Sequence, residues 1–228
     1  MSKRNKLKKF EEMAFFSNVR QCPDPTKPQL YHQNEPSEAL KGKWSTAFFD
    51  NDHPLILELA CGKGEYTLGL ARRYPEHNIV GVDVKGARIW RGAKTAIEEE
   101  INNAGFLRTR IEVLHALFDK NELSEIWITF PDPFPSKENR RLVSPRFLDM
   151  FRLLLKENGI LHLKTDDTDY FNYAEKQLAR HPSFNITACN RDIYATEDIP
   201  EILEIKTFYE KQHLKAGKTI KYLKAMKY

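Results

Sequence analysis

The chain predicts a single α/β domain built on a largely parallel sheet, and three observations carry that prediction. From Pro54 onward, short apolar runs alternate with amphipathic stretches, as in successive βα units. The first apolar run ends in Ala60-Cys-Gly62-Lys-Gly64, a glycine-bearing turn where the backbone must fold sharply into a helix. A later run, Ile126-Trp-Ile-Thr-Phe130, stops at Pro131-Asp132-Pro133. Two residues without an N–H end the strand ladder there and hold an aspartate in a stiff loop at its carboxyl edge. Ligands of open α/β sheets bind just outside that edge, which makes Asp132 the first candidate functional residue.

The elements follow in order. Residues 1–52 show no sustained periodicity and contain Pro23, Pro25, Pro28 and Pro36, which predicts a mobile basic arm and an irregular lead-in. The domain proper is expected over 53–228. A strand at 55–60 leads into a helix through Leu68, Leu70 and Ala71, and a second strand covers 78–82. Ile89, Trp90, Ala93, Ile97 and Ile101 then recur at helical spacing. Strands are expected at 110–115 and 125–130. A helix over 145–157 is closed by Asn158-Gly159 as a C-cap signal, before a strand at 160–164. The pattern ends with a helix at 169–181, an extended stretch at 185–189 and a last strand at 219–225.

Composition narrows the function. A chain of 228 residues with 41% hydrophobic and 30% charged residues builds one ordinary core, and its mean hydropathy is −0.59. No apolar run approaches the roughly 20 residues that cross a bilayer. The basic start lacks the apolar stretch of a signal peptide, so a cytoplasmic protein with no membrane role is expected. Cys22, Cys61 and Cys189 form no C-x-x-C pair and the histidines are scattered, so no metal site is expected. The net charge of +4 is modest but unevenly placed. Lys3, Arg4, Lys6, Lys8 and Lys9 precede the first acid, and Lys211, Lys215, Lys218, Lys221, Lys224 and Lys227 recur in the tail. Such ends suit a polyanionic partner.

Acids gather at the strand ends. Glu58 lies inside the first strand, four residues before Gly62, and Asp83 ends the second strand, where an acid can accept both hydroxyls of a ribose. The dinucleotide fingerprint itself fails, because Thr67 occupies its last glycine position. The plainer readings make Glu58 a buried acid satisfied by backbone amides and Asp83 a cap for the next helix. Thr165 and Asp166 end the strand at 160–164, and Thr207-Phe-Tyr-Glu210 precedes the basic tail.

On these residues the chain resembles the bacterial tRNA (guanine-N7-)-methyltransferase family of class I S-adenosylmethionine-dependent enzymes. The match spans residues 54–225. It is carried by Glu58-Leu-Ala-Cys-Gly62-Lys-Gly64, Gly81-Val-Asp83, Phe130-Pro-Asp-Pro-Phe-Pro135 with Arg140-Arg141-Leu142, Thr165-Asp166, and Thr207-Phe-Tyr-Glu210. The resemblance implies a Rossmann-like seven-stranded class I methyltransferase sheet, helices on both faces and a reversed final strand. It implies S-adenosylmethionine as cofactor, held by Glu58, Ala60, Gly62, Gly64, Asp83, Leu117 and Asp132. It implies tRNA as partner, with the variable-loop guanosine at position 46 as target, and Asp132 as the catalytic residue between cofactor and base. Phe134, Ser136, Lys137, Arg140, Arg141, Asp166, Thr207 and Glu210 fall on the substrate side. The protein is expected to act without an obligate protein partner, as a monomer or homodimer.

The chain departs from the family pattern in four places. Ala60 replaces a glycine, and Phe134 replaces the tryptophan that follows Asp-Pro, keeping an aromatic wall without an indole donor. Ser136 takes the usual lysine position with Lys137 beside it, and Ala116 or Leu117 stands where an acid or amide follows the third strand. Two other readings stay open at this point: a methyltransferase acting on another RNA or small molecule, and a catalytically silent RNA-binding relative. A dehydrogenase is disfavoured by the missing third glycine.

Overall fold

The N-terminal lead-in takes its structure from what it packs against. In the computed structural model, which describes residues 3–195 and 199–228, residues 3–52 are neither arm nor irregular coil. They form α1 (Lys3–Ala14), β1 (Val19–Gln21), β2 (Tyr31–His32), β3 (Glu35–Pro36) and a π-helical turn, Trp44–Phe48. The pattern was hard to read because cations fill much of α1, so its apolar stripe is narrow. Tertiary contacts decide it: Phe10 and Met13 sit against Gly86, and Trp90 donates its indole N–H to Glu12 at 2.8 Å.

The chain divides into two units, one through Asp119 and one from Lys120. The first continues with β4 (Leu55–Leu59), α2 (Glu65–Arg73), β5 (Asn78–Asp83), α3 (Gly86–Glu98), β6 (Ala104–Arg108) and α4 (Leu114–Leu117). Its strand order is β3-β2-β1-β6-β5-β4, with β1, β6, β5 and β4 parallel and β1 to β3 antiparallel. Every residue of β4 and β5 is buried, as expected of interior parallel strands.

The third βα strand is a correction. The strand expected at 110–115 lies instead at Ala104–Arg108, and residues 111–117 form a 3₁₀ turn and α4. Ala104-Gly105 reads poorly as strand, but the glycine has a packing reason. A Cβ there would meet the Phe48 ring at 2.4 Å.

The second unit comprises β7 (Leu123–Thr129), α5 (Pro145–Leu154), β8 (Leu155–Thr165), α6 (Thr168–Arg180), β9 (Phe184–Asn190), α7 (Phe208–Lys215) and β10 (Lys221–Lys227). Its order is β7-β8-β10-β9. β7 and β8 are parallel, and the last strand inserts antiparallel to both β8 and β9. Asn158-Gly159 does not cap α5, which ends at Leu154. It bulges β8: Leu123 faces Leu155 while Glu125 already faces Ile160, and Asn158 takes a left-handed φ of 61°. Among the described residues there are ten strands. β4 to β10 are the expected seven, and β1 to β3 are short N-terminal additions.

Candidate active site

In the first unit the glycine turn is built from left-handed backbone. Ala60 (φ 58°), Gly62 (φ 60°) and Gly64 (φ 73°) reverse the chain between β4 and α2. Gly64 cannot carry a side chain, since a Cβ would lie 2.6 Å from the Phe106 ring. Gly62 differs: a Cβ there would have nothing nearer than the Ala60 carbonyl at 4.0 Å, so its backbone is open to a ligand. Ala60 fits, but an L-residue at this φ costs about 1 kcal/mol.

Both acids are tied to this turn. Buried Glu58 accepts through Oε2 from the Thr67 N–H at 2.7 Å and from the Thr67 hydroxyl, and so anchors the first turn of α2. Asp83 accepts the Gly62 N–H through Oδ2 at 3.0 Å and the Lys85 N–H through Oδ1 at 2.7 Å, joining the glycine turn to the start of α3. The plainer readings are thus part of the answer. A carboxylate offers about four lone-pair directions, so the two bonds to Asp83 leave it acceptor capacity for a ligand. Cys61, between them, has its thiol pushed well up by burial and by the Glu58 and Asp83 charges, which makes it unreactive.

Leu117 does not follow the third strand. It is buried on α4, and its carbonyl accepts the Trp44 indole N–H at 2.9 Å. With β6 ending at Arg108, the residues in that position are Thr109 and Arg110. Thr109 is buried and donates its hydroxyl to the Cys22 carbonyl at 3.2 Å, while Arg110 is exposed.

In the second unit Asp132 stands exposed on a braced loop. Phe130 donates its N–H to the Lys164 carbonyl at 2.8 Å and then turns left-handed (φ 48°). Phe134 is left-handed again (φ 40°), and its carbonyl accepts the Lys137 N–H at 3.1 Å. Arg141 is only 4% exposed and is corrected from phosphate contact to brace. Its Nε donates to the Pro133 carbonyl at 2.9 Å, and its guanidinium lies 4.8 Å from the Tyr173 ring centre. Ser136, Lys137 and Arg140 are exposed.

The other substrate-side acids are engaged with cations. Asp166 Oδ2 accepts from Lys218 Nζ at 2.6 Å and lies 3.3 Å from His213 Nδ1. Thr207 caps α7, its hydroxyl accepting the Glu210 N–H at 3.1 Å. Glu210 is fully buried: its Oε1 meets Lys164 Nζ at 2.7 Å and accepts the Tyr194 hydroxyl at 2.7 Å. Lys164 Nζ also donates to the carbonyls of Leu203 (2.7 Å) and Ile205 (3.2 Å). Burial lowers the Lys164 pKa and the Glu210 charge partly restores it; burial, then Glu210, pushes Tyr194 upward.

Lys164 was not anticipated. Its backbone holds the start of the Asp132 loop and its side chain holds α7, so one residue positions both elements. The signal was present in Ile160-Leu-His-Leu-Lys164: a lysine in a buried strand needs a buried partner.

Known proteins match this arrangement. A family model described as "Putative methyltransferase" covers residues 52–223. A tRNA (guanine-N(7)-)-methyltransferase of Christiangramia forsetii is 47% identical over 98% of both chains. One from Porphyromonas gingivalis is 46% identical over 92% of this chain and 85% of its own. Among solved structures, the 16S rRNA methyltransferase KamB aligns with a TM-score of 0.62 at 13% identity, over 85% of this chain and 96% of that one. A 16S rRNA (adenine(1408)-N(1))-methyltransferase of Catenulisporales acidiphilia, with cosubstrate SAM, aligns at 0.58 and 13% identity over 85% and 93%. These two likenesses bear on the fold alone, which is the Rossmann-like α/β fold of class I methyltransferases. With nearly half its residues identical over essentially the whole length of the first relative, the chain belongs to the tRNA (guanine-N(7)-)-methyltransferase family.

Proposed function

We propose that this protein transfers a methyl group from S-adenosylmethionine to N7 of a guanosine in tRNA, with the variable-loop guanosine at position 46 as the target. Full-length similarity to enzymes of that name is the observation that carries the reading. The transferase chemistry is assigned to residues 53–228 and a tRNA-contacting role to residues 1–52. The protein acts in the cytoplasm, without a second subunit of another kind. No helix among the described residues is long and apolar enough to cross a membrane.

The first unit's residues fit the cofactor. The open backbone at Gly62 and the remaining acceptor capacity of Asp83 suit a nucleoside, with the acid receiving ribose hydroxyls and Glu58 keeping the turn in shape. When bound, S-adenosylmethionine supplies an electrophilic methyl group on a sulfonium.

Guanine N7 carries a lone pair and no proton at neutral pH, so this chain needs no base to create the nucleophile. Its work is to orient the base, a proximity effect that supplies about 7–11 kcal/mol of barrier reduction in favourable cases. Methylation leaves a cationic ring, and a fixed carboxylate at Asp132 stabilises charge that grows in the transition state. A second carboxylate, Asp166, accepts guanine N1–H and amino protons, which adenine cannot offer in that pattern. Phe134 packs on the base, while exposed Lys137 and Arg140 meet phosphates.

The test is incubation with unmodified tRNA transcripts and methyl-labelled S-adenosylmethionine, followed by nucleoside analysis. Label in 7-methylguanosine is expected; label in another nucleoside, or none despite cofactor binding, would overturn the reading. Asp132→Ala is expected to lower kcat about 10²- to 10³-fold while the thermal shift with cofactor is kept in part. A mutant with full turnover would remove Asp132 from the mechanism.

A further inference from the structure

A loop framed by prolines cannot hold itself. Pro131, Pro133 and Pro135 offer no N–H, so the backbone around Asp132 is fixed chiefly through its carbonyls, by donors that come from elsewhere. Arg141 supplies such a donor, its Nε reaching the Pro133 carbonyl at 2.9 Å, one residue from Asp132. The brace is therefore only as stiff as the guanidinium itself.

What holds the guanidinium is aromatic. Its acidic neighbour Glu138 is 61% exposed and 3.9 Å from Arg141 Nη1, an ion pair at the edge of range that contributes little in water. Two rings of α6 lie closer to the buried side, with centres 4.8 Å (Tyr173) and 5.5 Å (Tyr170) from the guanidinium carbon. The Arg141 side chain is only 5% exposed, and contacts between a cation and a ring are strongest when the cation is desolvated. A ring also attracts the charge without consuming an N–H, whereas a buried carboxylate would compete with the Pro133 carbonyl for Nε.

The two tyrosines divide the work. Tyr170 is fully buried and its hydroxyl accepts the Leu142 N–H at 3.0 Å, which makes it part of the core under the segment after Arg141. Tyr173, three residues on and partly exposed, lies nearer the guanidinium. Both stand on a helix whose start is fixed to a neighbouring strand end. Asp167 Oδ1 accepts the Tyr170 N–H at 2.6 Å, and the Asp167 N–H donates to Thr165 Oγ1 at 3.1 Å. The contacts thus run from the end of β8 through α6 to the Asp132 loop.

We propose that Tyr173 is a positioning residue for methyl transfer: its ring holds the Arg141 guanidinium against the Pro133 carbonyl and so fixes where the Asp132 carboxylate sits. It acts through Arg141 and touches neither cofactor nor RNA. This inference rests on the role given to Asp132 above.

The experiment measures steady-state methylation of a tRNA transcript by the full chain and, alongside it, hydrogen exchange of residues 130–137 by mass spectrometry. Tyr173→Leu keeps apolar bulk but has no π-face. It is expected to lower kcat about tenfold and to speed exchange in that peptide, with KM for tRNA and the thermal shift with cofactor nearly kept. Tyr173→Phe, which keeps the ring without the hydroxyl, is expected to restore both readouts. In an Asp132→Ala background the loss from Tyr173→Leu is expected to shrink below about twofold, since no carboxylate is left to place.

Full turnover in Tyr173→Leu with exchange unchanged overturns the proposal, as does a loss equally large in the Asp132→Ala background. A rise in KM for tRNA at constant kcat overturns it too, because the ring would then be an RNA contact in its own right. If wild type makes no 7-methylguanosine yet exchange at 130–137 still responds to Tyr173→Leu and recovers in Tyr173→Phe, the reading of the reaction falls and the ring brace stands.

Discussion

The two units hold their candidate site acids by different means. In the first, Glu58 and Asp83 are tied to backbone and hydroxyl donors, which carry no charge and do not titrate near neutrality. In the second, Asp166 and Glu210 are held by Lys218, His213 and Lys164, while Asp132 stands exposed on a loop braced by Arg141. Amide-held acids shape a turn whose geometry is indifferent to salt. Cation-held acids couple loops and helices that are distant in sequence, and removing one partner strands the other. In the function proposed above, the nucleoside pocket uses the first property and the RNA-facing surface the second.

That contrast breaks most visibly at Lys164. Lys164→Met would leave Glu210 buried without its cation and is expected to cost about 3–5 kcal/mol in urea unfolding. The double variant Lys164→Met/Glu210→Met is expected to recover most of that loss, because a well-packed apolar pair replaces a buried ion pair at little net cost. A loss below about 1 kcal/mol in the single variant would show that the pair does not hold α7.

Asp83→Asn tests the first unit. Asparagine offers one acceptor where two N–H groups, those of Gly62 and Lys85, now bond, so about 1–3 kcal/mol of stability is expected to go together with cofactor affinity. If calorimetry showed weaker cofactor binding with unfolding unchanged, Asp83 would serve the ligand alone and the contrast between the units would narrow.

The smallest expected effect lies at Ala60. Its left-handed φ of 58° suits glycine, so Ala60→Gly is expected to stabilise the protein by about 0.5 kcal/mol in denaturant titration, with turnover kept. A destabilised variant would mean that the alanine methyl packs well enough to outweigh the strain.

Much of this was legible in the chain. The strands at Leu55–Leu59, Asn78–Asp83 and Leu123–Thr129 announced themselves as apolar runs ended by turn chemistry, and the glycine turn and proline-framed Asp132 marked their ligand edges. The β6 position was not legible, because Ala104-Gly105 has low strand propensity and only the Phe48 ring explains the glycine. Nor was the role of Arg141, since a guanidinium beside other basic residues looks like a phosphate contact until its carbonyl acceptor and aromatic neighbours are seen.

By itself the sequence determined the α/β alternation, the turn chemistry at the strand ends and the family, because these depend on period, on backbone-limited residues and on short motifs contiguous along the chain. Only the tertiary structure decided that residues 3–14 are helical, that Leu117 is core, and that Thr207 and Glu210 turn inward while Phe208 and Tyr209 face out. Those outcomes depend on partners dozens of residues away, such as Trp90, Trp44 and Lys164, and no local pattern encodes which buried group a side chain will meet.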